Sequence, residues 1–261
     1  MNAKQIEKNE LYYYSLVSPK KESKQFIEHS NSLVPQMYDY NFFYIKDPLF
    51  VSELPAFMRG YAEEQGFLKL FGRIFPTKEK AMWLAPTFEG YDYSEEQLVY
   101  LALEDYEALE QAQTEVAYRK VETEADLQLY CAFAFNDAKR ISLSFAEEKM
   151  KLIRWLFQLQ PASFYIAVEE DRVVGSIDFY ELQEYYKVEN VYVDEKYRKR
   201  GIAGTLIKTA VQERTNKAMG VGLTTHVDGM ARSLYKKLGF EEKAFSINHL
   251  FVKQMETKRN E

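Results

Sequence analysis

The chain has 261 residues, of which 46% are hydrophobic and 28% charged, and it carries a net charge of −6. This is a globular composition that excludes a disordered chain, and its acidic balance argues against a nucleic-acid partner bound through broad phosphate neutralisation. A single cysteine, Cys131, excludes an internal disulfide and a thiolate metal cluster. No apolar run approaches the ~20 residues of a membrane helix, and the N-terminus lacks the apolar segment of a secretory signal. A cytoplasmic protein with no membrane partner is therefore expected.

Residues 1–35 carry no clear pattern. Leu11-Tyr12-Tyr13-Tyr14 suits a helical turn or a strand, and the stretch from Ser18 and Pro19 reads as a solvated turn or linker. Residues 40–45 read as a strand. Residues 51–64 read as a helix with Leu54, Phe57, Met58 and Tyr61 on one stripe. A strand at 67–75, a helix at 76–84 entered through Pro76, and a strand at 98–103 complete the first half. The Glu/Gln-rich run 105–115 reads as a linker. Beyond it come a strand at 116–121, helices at 124–135 and 144–159, a hairpin pairing 164–168 with 173–180, and a strand at 186–193. Cys131 sits in an apolar helical stretch and is expected in the core.

Residues 188–204 then combine a strand (Val191 and Val193 alternating with polar neighbours), a basic loop and a helix start. Ile202, Leu206, Ile207, Ala210 and Val211 recur at helical spacing. A helix N-terminus offers unpaired amides and a favourable dipole to a phosphate, glycine permits close approach, and Arg198, Lys199 and Arg200 add positive charge. Neither the NTPase pattern Gly-x-x-x-x-Gly-Lys-Ser/Thr nor the dinucleotide pattern Gly-x-Gly-x-x-Gly is present. The residues that are present, Arg198-x-x-Gly201-x-Ala203, resemble the acyl-CoA pyrophosphate loop of the GNAT superfamily of N-acetyltransferases. Downstream, Asp228, Ala231, Tyr235, Gly239 and Phe240 are spaced as in that family's second motif.

The resemblance implies an α/β (α+β) acyl-CoA N-acyltransferase fold over 116–254, with a mixed central sheet flanked by helices. It implies acetyl-CoA as acetyl donor and an amine of a small molecule or peptide as acceptor. The thioester would lie in a V-shaped gap between the strand ending at Val193 and a parallel strand at 220–225. Backbone groups of Val191, Tyr192 and Val193 would pair with the pantetheine arm. Arg198, Lys199, Arg200, Gly201, Ile202, Ala203 and Gly204 would form the pyrophosphate loop. Asp228 and Ala231 would complete the cofactor contacts, although Asp228 replaces the family's asparagine and could instead cap the following helix. Tyr235 stands where relatives carry the proton donor to the departing sulfur. Glu189 occupies a position that carries the general base in some relatives, and as a strand residue it could equally be solvated. His226 is a weaker candidate base. No metal is expected.

The order of elements before and after the linker is similar, with Gly90-Tyr91 spaced from Gly239-Phe240 much as the strand from Leu98 is from the one near Asn248. This suggests a duplicated unit, against the alternative of two unrelated α/β pieces with similar element lengths. Residues 1–104 would then be a degenerate copy, 116–254 the catalytic domain and 255–261 a charged tail. Asp47 stands where the second half has its basic loop, and Pro86 stands opposite Tyr235, so the first half is expected not to catalyse. A non-catalytic acyl-CoA-binding module and a tandem aminoacyl-transferase are the competing readings, and a homo-oligomer is left open.

Overall fold

The computed structural model describes residues 1–106, 109 and 115–254. The first half contains α1 (Ala3–Val17), β1 (Lys20–Glu22), β2 (Phe26–His29), β3 (Phe42–Ile45), α2 (Ala56–Gln65), β4 (Phe67–Phe71), α3 (Lys78–Ala81) and β5 (Tyr91–Leu103). The second contains β6 (Ala117–Lys120), α4 (Glu124–Ala138), α5 (Leu143–Leu159), β7 (Ala162–Glu169), β8 (Arg172–Glu181) and β9 (Tyr185–Val193). It continues with α6 (Ile202–Glu213), β10 (Gly220–His226), α7 (Met230–Lys237) and β11 (Glu241–Lys253).

All these strands join one mixed sheet in the order β1-β2-β3-β4-β11-β5-β10-β9-β8-β7-β6. Its centre is a long antiparallel pairing of β5 with β11, running from Tyr91↔Lys253 to Ala102↔Glu241. β11 also pairs with β4, and β5 also pairs with β10. The last strand of each half thus lies inside the sheet of the other. In both halves a parallel pair, β3 with β4 and β9 with β10, leads into this exchange.

Each face of the sheet carries its own core. α6 and α7 cover one face, over Tyr186, Val188, Leu206, Ile207, Val221 and Leu223. α1, α4 and α5 cover the other, over Tyr13, Tyr130, Ile153, Phe164, Tyr180 and Tyr185. β9 therefore alternates, with Tyr186 and Val188 toward α6 and Tyr185 and Lys187 toward α1. At Gly175 of β8 an added Cβ would lie 3.1 Å from Ile202 and 3.2 Å from Leu206, so glycine lets α6 settle close against the sheet. Full burial of a side chain such as Leu206 (0% exposed) contributes about 1.5–3 kcal/mol.

Capping fixes several helix starts. Asn2 with Gln5 and Thr123 with Asp126 form reciprocal capping boxes on α1 and α4. The β7–β8 hairpin turns through Glu170 (φ 47°) and Asp171 (φ 60°), the left-handed pair that matches strand twist.

Several expected elements differ. The stretch after Ser18 is not a plain linker but the β1–β2 hairpin. The helix expected over 51–64 starts only at Ala56, because Pro48–Val51 closes a separate 3₁₀ turn capped by the Asp47 carboxylate. The helix at 76–84 shrinks to the four residues of α3, and the strand at 67–75 ends at Phe71. Cys131 is buried in α4. The tail 255–261 and most of the linker lie outside the described residues. No helix among the described residues is long and apolar enough to cross a membrane.

Candidate active site

The parallel ladder between β9 and β10 runs from Tyr185↔Gly220 to Val188↔Leu223 and stops there. Beyond it β9 stays paired with β8, and β10 stays paired with β5. One backbone edge of Val191, Tyr192 and Val193 is thereby left facing a gap between the strands. The divergence coincides with a bulge. Asn190 is left-handed (φ 50°), and Asn190 and Val191 together oppose the single Ile177 between the pairs Asp178↔Glu189 and Ser176↔Tyr192. Asparagine tolerates that conformation, and its side-chain amide donates to Asp178 at 2.6 Å. On β10, Thr224 Oγ1 is buried and has no hydrogen-bond partner.

At the end of β9 the loop enters α6 through two left-handed residues, Lys199 (φ 63°) and Gly201 (φ 76°). Gly201 is the N-cap and brings no side-chain hydrogen bond, so the amides opening α6 lack a side-chain cap. The three cations of the loop are not equivalent. Arg200, expected in the phosphate loop, is held by Glu169 at 2.5 and 3.2 Å. Arg198 donates to the Val193 carbonyl at 3.1 Å. Lys199 has no ion-pair partner among the described residues. Ile202 and Gly204 are buried, and a Cβ on Gly204 would meet Leu238 at 2.9 Å, so they can offer only backbone amides. An open strand edge, an orphaned hydroxyl and an uncapped helix start fit an amide-bearing arm joined to a diphosphate, the chemistry of coenzyme A.

Asp228 does not cap α7. Gly229 is the N-cap, and the Asp228 carboxylate instead acts electrostatically on Arg232, which bonds the Val227 carbonyl and Glu242. Ala231 packs at the edge of the α6-side core, and the Tyr192 ring packs on Phe133 at 5.2 Å. His226 is exposed at the end of β10.

Tyr235 is buried on α7, edge-on to Phe240. Its hydroxyl has no hydrogen bond to a described residue. Burial and then the Glu189 carboxylate push its pKa up to about 12, so the phenol stays protonated at neutral pH. Glu189 and Tyr235 thus share one electrostatic environment.

Glu189 is half-buried and bound to Lys187 at 2.9 Å. Lys187 is 1% exposed, ion-paired with the buried Glu10 of α1, and lies 4.2 Å from the centre of the Tyr13 ring. Tyr185 donates to the other Glu10 oxygen at 2.7 Å. Burial raises the Glu189 pKa. Lys187 opposes that shift, and the Glu10 and Asp178 charges reinforce it. Directly across the β8–β9 ladder, Asp178 is also buried and accepts from Tyr130 at 2.5 Å. Its pKa is raised to about 6 by desolvation.

Sequence reasoning missed Glu10, Lys187 and Asp178. The one signal was a lysine at an inward position of a strand rich in tyrosine and valine. Among the described residues no group of three or more His, Cys, Asp or Glu side chains is placed to hold a metal.

Residues 160–242, which contain Glu189, the loop and Tyr235, match the acetyltransferase (GNAT) domain. Similar solved structures cover nearly the whole chain. A conserved protein of unknown function from Staphylococcus epidermidis has a TM-score of 0.70 at 14% identity, covering 91% of this chain and 95% of its own. A GCN5-related N-acetyltransferase from Kribbella flavida has a TM-score of 0.64 at 15% identity, covering 98% of each chain. A tandem GNAT protein from the clavulanic acid biosynthesis pathway has a TM-score of 0.56 at 10% identity, covering 88% and 79%. Comparison with curated proteins finds no match. The chain therefore has the mixed α/β fold of GNAT acyl-CoA N-acyltransferases, with an acetyltransferase (GNAT) domain match spanning 160–242.

Proposed function

We propose that the protein is an acetyl-CoA-dependent N-acetyltransferase that acetylates a primary amine of a small molecule or peptide by direct attack. The observation that carries this reading is the opening of the β9–β10 ladder just beyond Val188, beside Glu189 and leading to the uncapped start of α6. Bound acetyl-CoA supplies an acetyl group activated as a thioester. The backbone edge of Val191, Tyr192 and Val193 holds the arm, and the amides from Lys199 to Gly204, with Lys199 as the uncommitted cation, hold the diphosphate.

Glu189 takes a proton from the acceptor ammonium, and its raised pKa suits a base that must also release that proton. As the carbon–nitrogen bond forms and the carbon–sulfur bond breaks, the Tyr235 phenol gives its proton to the sulfur. The phenol is restored by the second proton leaving the nitrogen. Net, one proton goes to solvent and one leaves on the thiol.

The first half, residues 1–104, is read as a copy that does not catalyse, since Asp47 caps a 3₁₀ turn where the second half has its basic loop. The repeated parallel pairs flanking the exchanged strands support that duplication. The first half nonetheless serves the site by delivering Glu10 to Lys187. The experiment is a free-thiol release screen with acetyl-CoA against polyamines, aminoglycosides, amino acids and peptides. Turnover with at least one amine supports the enzyme. Tight acetyl-CoA binding with no turnover across the panel would make the chain a binding module instead.

A further inference from the structure

A cleft of about 560 Å³ opens between the two halves, on the sheet face that carries Lys187 and Glu189. The first half supplies one wall, where Tyr38 packs on Phe67 at 4.6 Å. α5 supplies the other, with Phe145, Lys149, Leu152 and Leu156 on one stripe. The lining extends to the buried Asp178 and to Asn190. Asp178 is the cross-strand partner of Glu189, and Asn190 is its neighbour in the chain. A volume of this size suits a small molecule.

Three charged side chains line this cleft, Asp39, Lys149 and Asp178, and Asp39 is already ion-paired with Lys69 at 2.6 Å. Asp178 is 2% exposed and receives hydrogen bonds from Tyr130 and Asn190, both uncharged donors, so no cation touches its carboxylate. Lys149 projects from an otherwise apolar stripe, is half-buried, and has no hydrogen-bond or ion-pair partner among the described residues. Its charge reaches Asp178 only through space. A buried carboxylate without a cation and a half-buried ammonium without an anion, both lining one partly apolar cleft, complement a ligand that carries both charges.

We infer that this cleft is the acceptor site and that it takes an apolar α-amino acid or its close analogue. The amine points to Asp178 beside Glu189, the carboxylate meets Lys149, and the apolar side chain lies between the Tyr38–Phe67 wall and Phe145. The inference rests on the acetyltransferase reading above, with the transfer step unchanged: the amine nitrogen replaces the sulfur on the acetyl carbon.

The test uses the full chain and matched pairs that differ only in the carboxylate, phenylalanine against phenethylamine and leucine against isopentylamine. Thiol release gives kcat and KM for each. Calorimetry of N-acetylphenylalanine against N-acetylphenethylamine reads the same cleft without turnover. The carboxylated member of each pair is expected to be favoured about tenfold, through KM or Kd, as for one added ion pair. Lys149→Met should erase that preference while leaving the affinity for acetyl-CoA unchanged. Equal or reversed preference, no binding of either acetylated compound, or a preference that survives Lys149→Met would overturn the inference. Failure of the enzyme reading shows separately, as acetyl-CoA binding without thiol release for any amine of the wider panel, or as no acetyl-CoA binding at all.

Discussion

Glu10 and Lys187 form a buried ion pair although 177 residues separate them in the chain. The same ammonium binds Glu189 at 2.9 Å, so two carboxylates share one cation in a water-poor site. The cluster carries one net negative charge, and the second carboxylate is the proposed base. Tyr13, Tyr14, Tyr40, Tyr100, Tyr180, Tyr185 and Tyr235 also bear on this site, and burial raises all of their pKa values, so they stay neutral.

Glu10→Gln leaves Lys187 to Glu189 alone. The Glu189 pKa, held up by burial and in part by Glu10, should fall. The acidic limb of kcat/KM against pH is then expected to move to lower pH, with the fold retained by circular dichroism. If that limb stays where it is, Glu10 does not act on the base. Selective ¹³C labelling of glutamate carboxyls, with Glu189→Gln for assignment, reads the same shift without any acceptor.

Tyr235→Phe keeps the ring that packs on Phe240 and removes only the unbonded hydroxyl. The expected loss is in kcat, about 10²-fold or more as for a missing general acid, with little change in the KM for acetyl-CoA. Unchanged turnover across pH would remove Tyr235 from the chemistry.

The loop cations should separate in a binding experiment. Lys199 is uncommitted and Arg200 is already held by Glu169, so Lys199→Ala should weaken acetyl-CoA binding more than Arg200→Ala does. A loss of about fivefold to tenfold is expected for the former by isothermal titration. The opposite ranking would mean that Glu169 releases the guanidinium when the cofactor binds.

Asp178 ties stability to pH. Its pKa is raised from 3.8 to about 6 in the fold, so the native state holds the proton more tightly than the unfolded chain. The stability gained this way is complete below about pH 4 and is lost as pH rises through 6, about 3 kcal/mol in all. Urea unfolding across that window should show the loss, and Asp178→Asn should flatten it. An identical slope in the variant would show that other groups set the dependence.

The second half was largely legible from its residues. The strand, glycine loop and helix around Gly201 lie in consecutive sequence, and local backbone chemistry decides their form. The proposed site was legible only where it is local. Tyr235 belongs to a short pattern and Glu189 was named only by its position on the strand before the loop, whereas Glu10 and Asp178 come near it through strand register and helix docking, which no window of sequence contains. The first half was harder to read for the same reason. β1 and β2 are short strands with alternation too brief to detect, and α2 starts late because Val51 closes a 3₁₀ turn and Pro55 is the helix N-cap. The unequal roles of Arg200 and Lys199 depend on Glu169, which is distant in the chain and near only after the β7–β8 hairpin forms.

Because β5 and β11 trade places across the middle of the sheet, neither portion of the polypeptide holds a finished set of neighbours by itself. Severing the chain near residue 110 would strip β10 of one flank and leave β4 with a raw edge inviting aggregation. Heat or denaturant should accordingly melt the molecule in a single cooperative step. The proposed catalytic residues of the later portion are therefore hostage to the integrity of the earlier one.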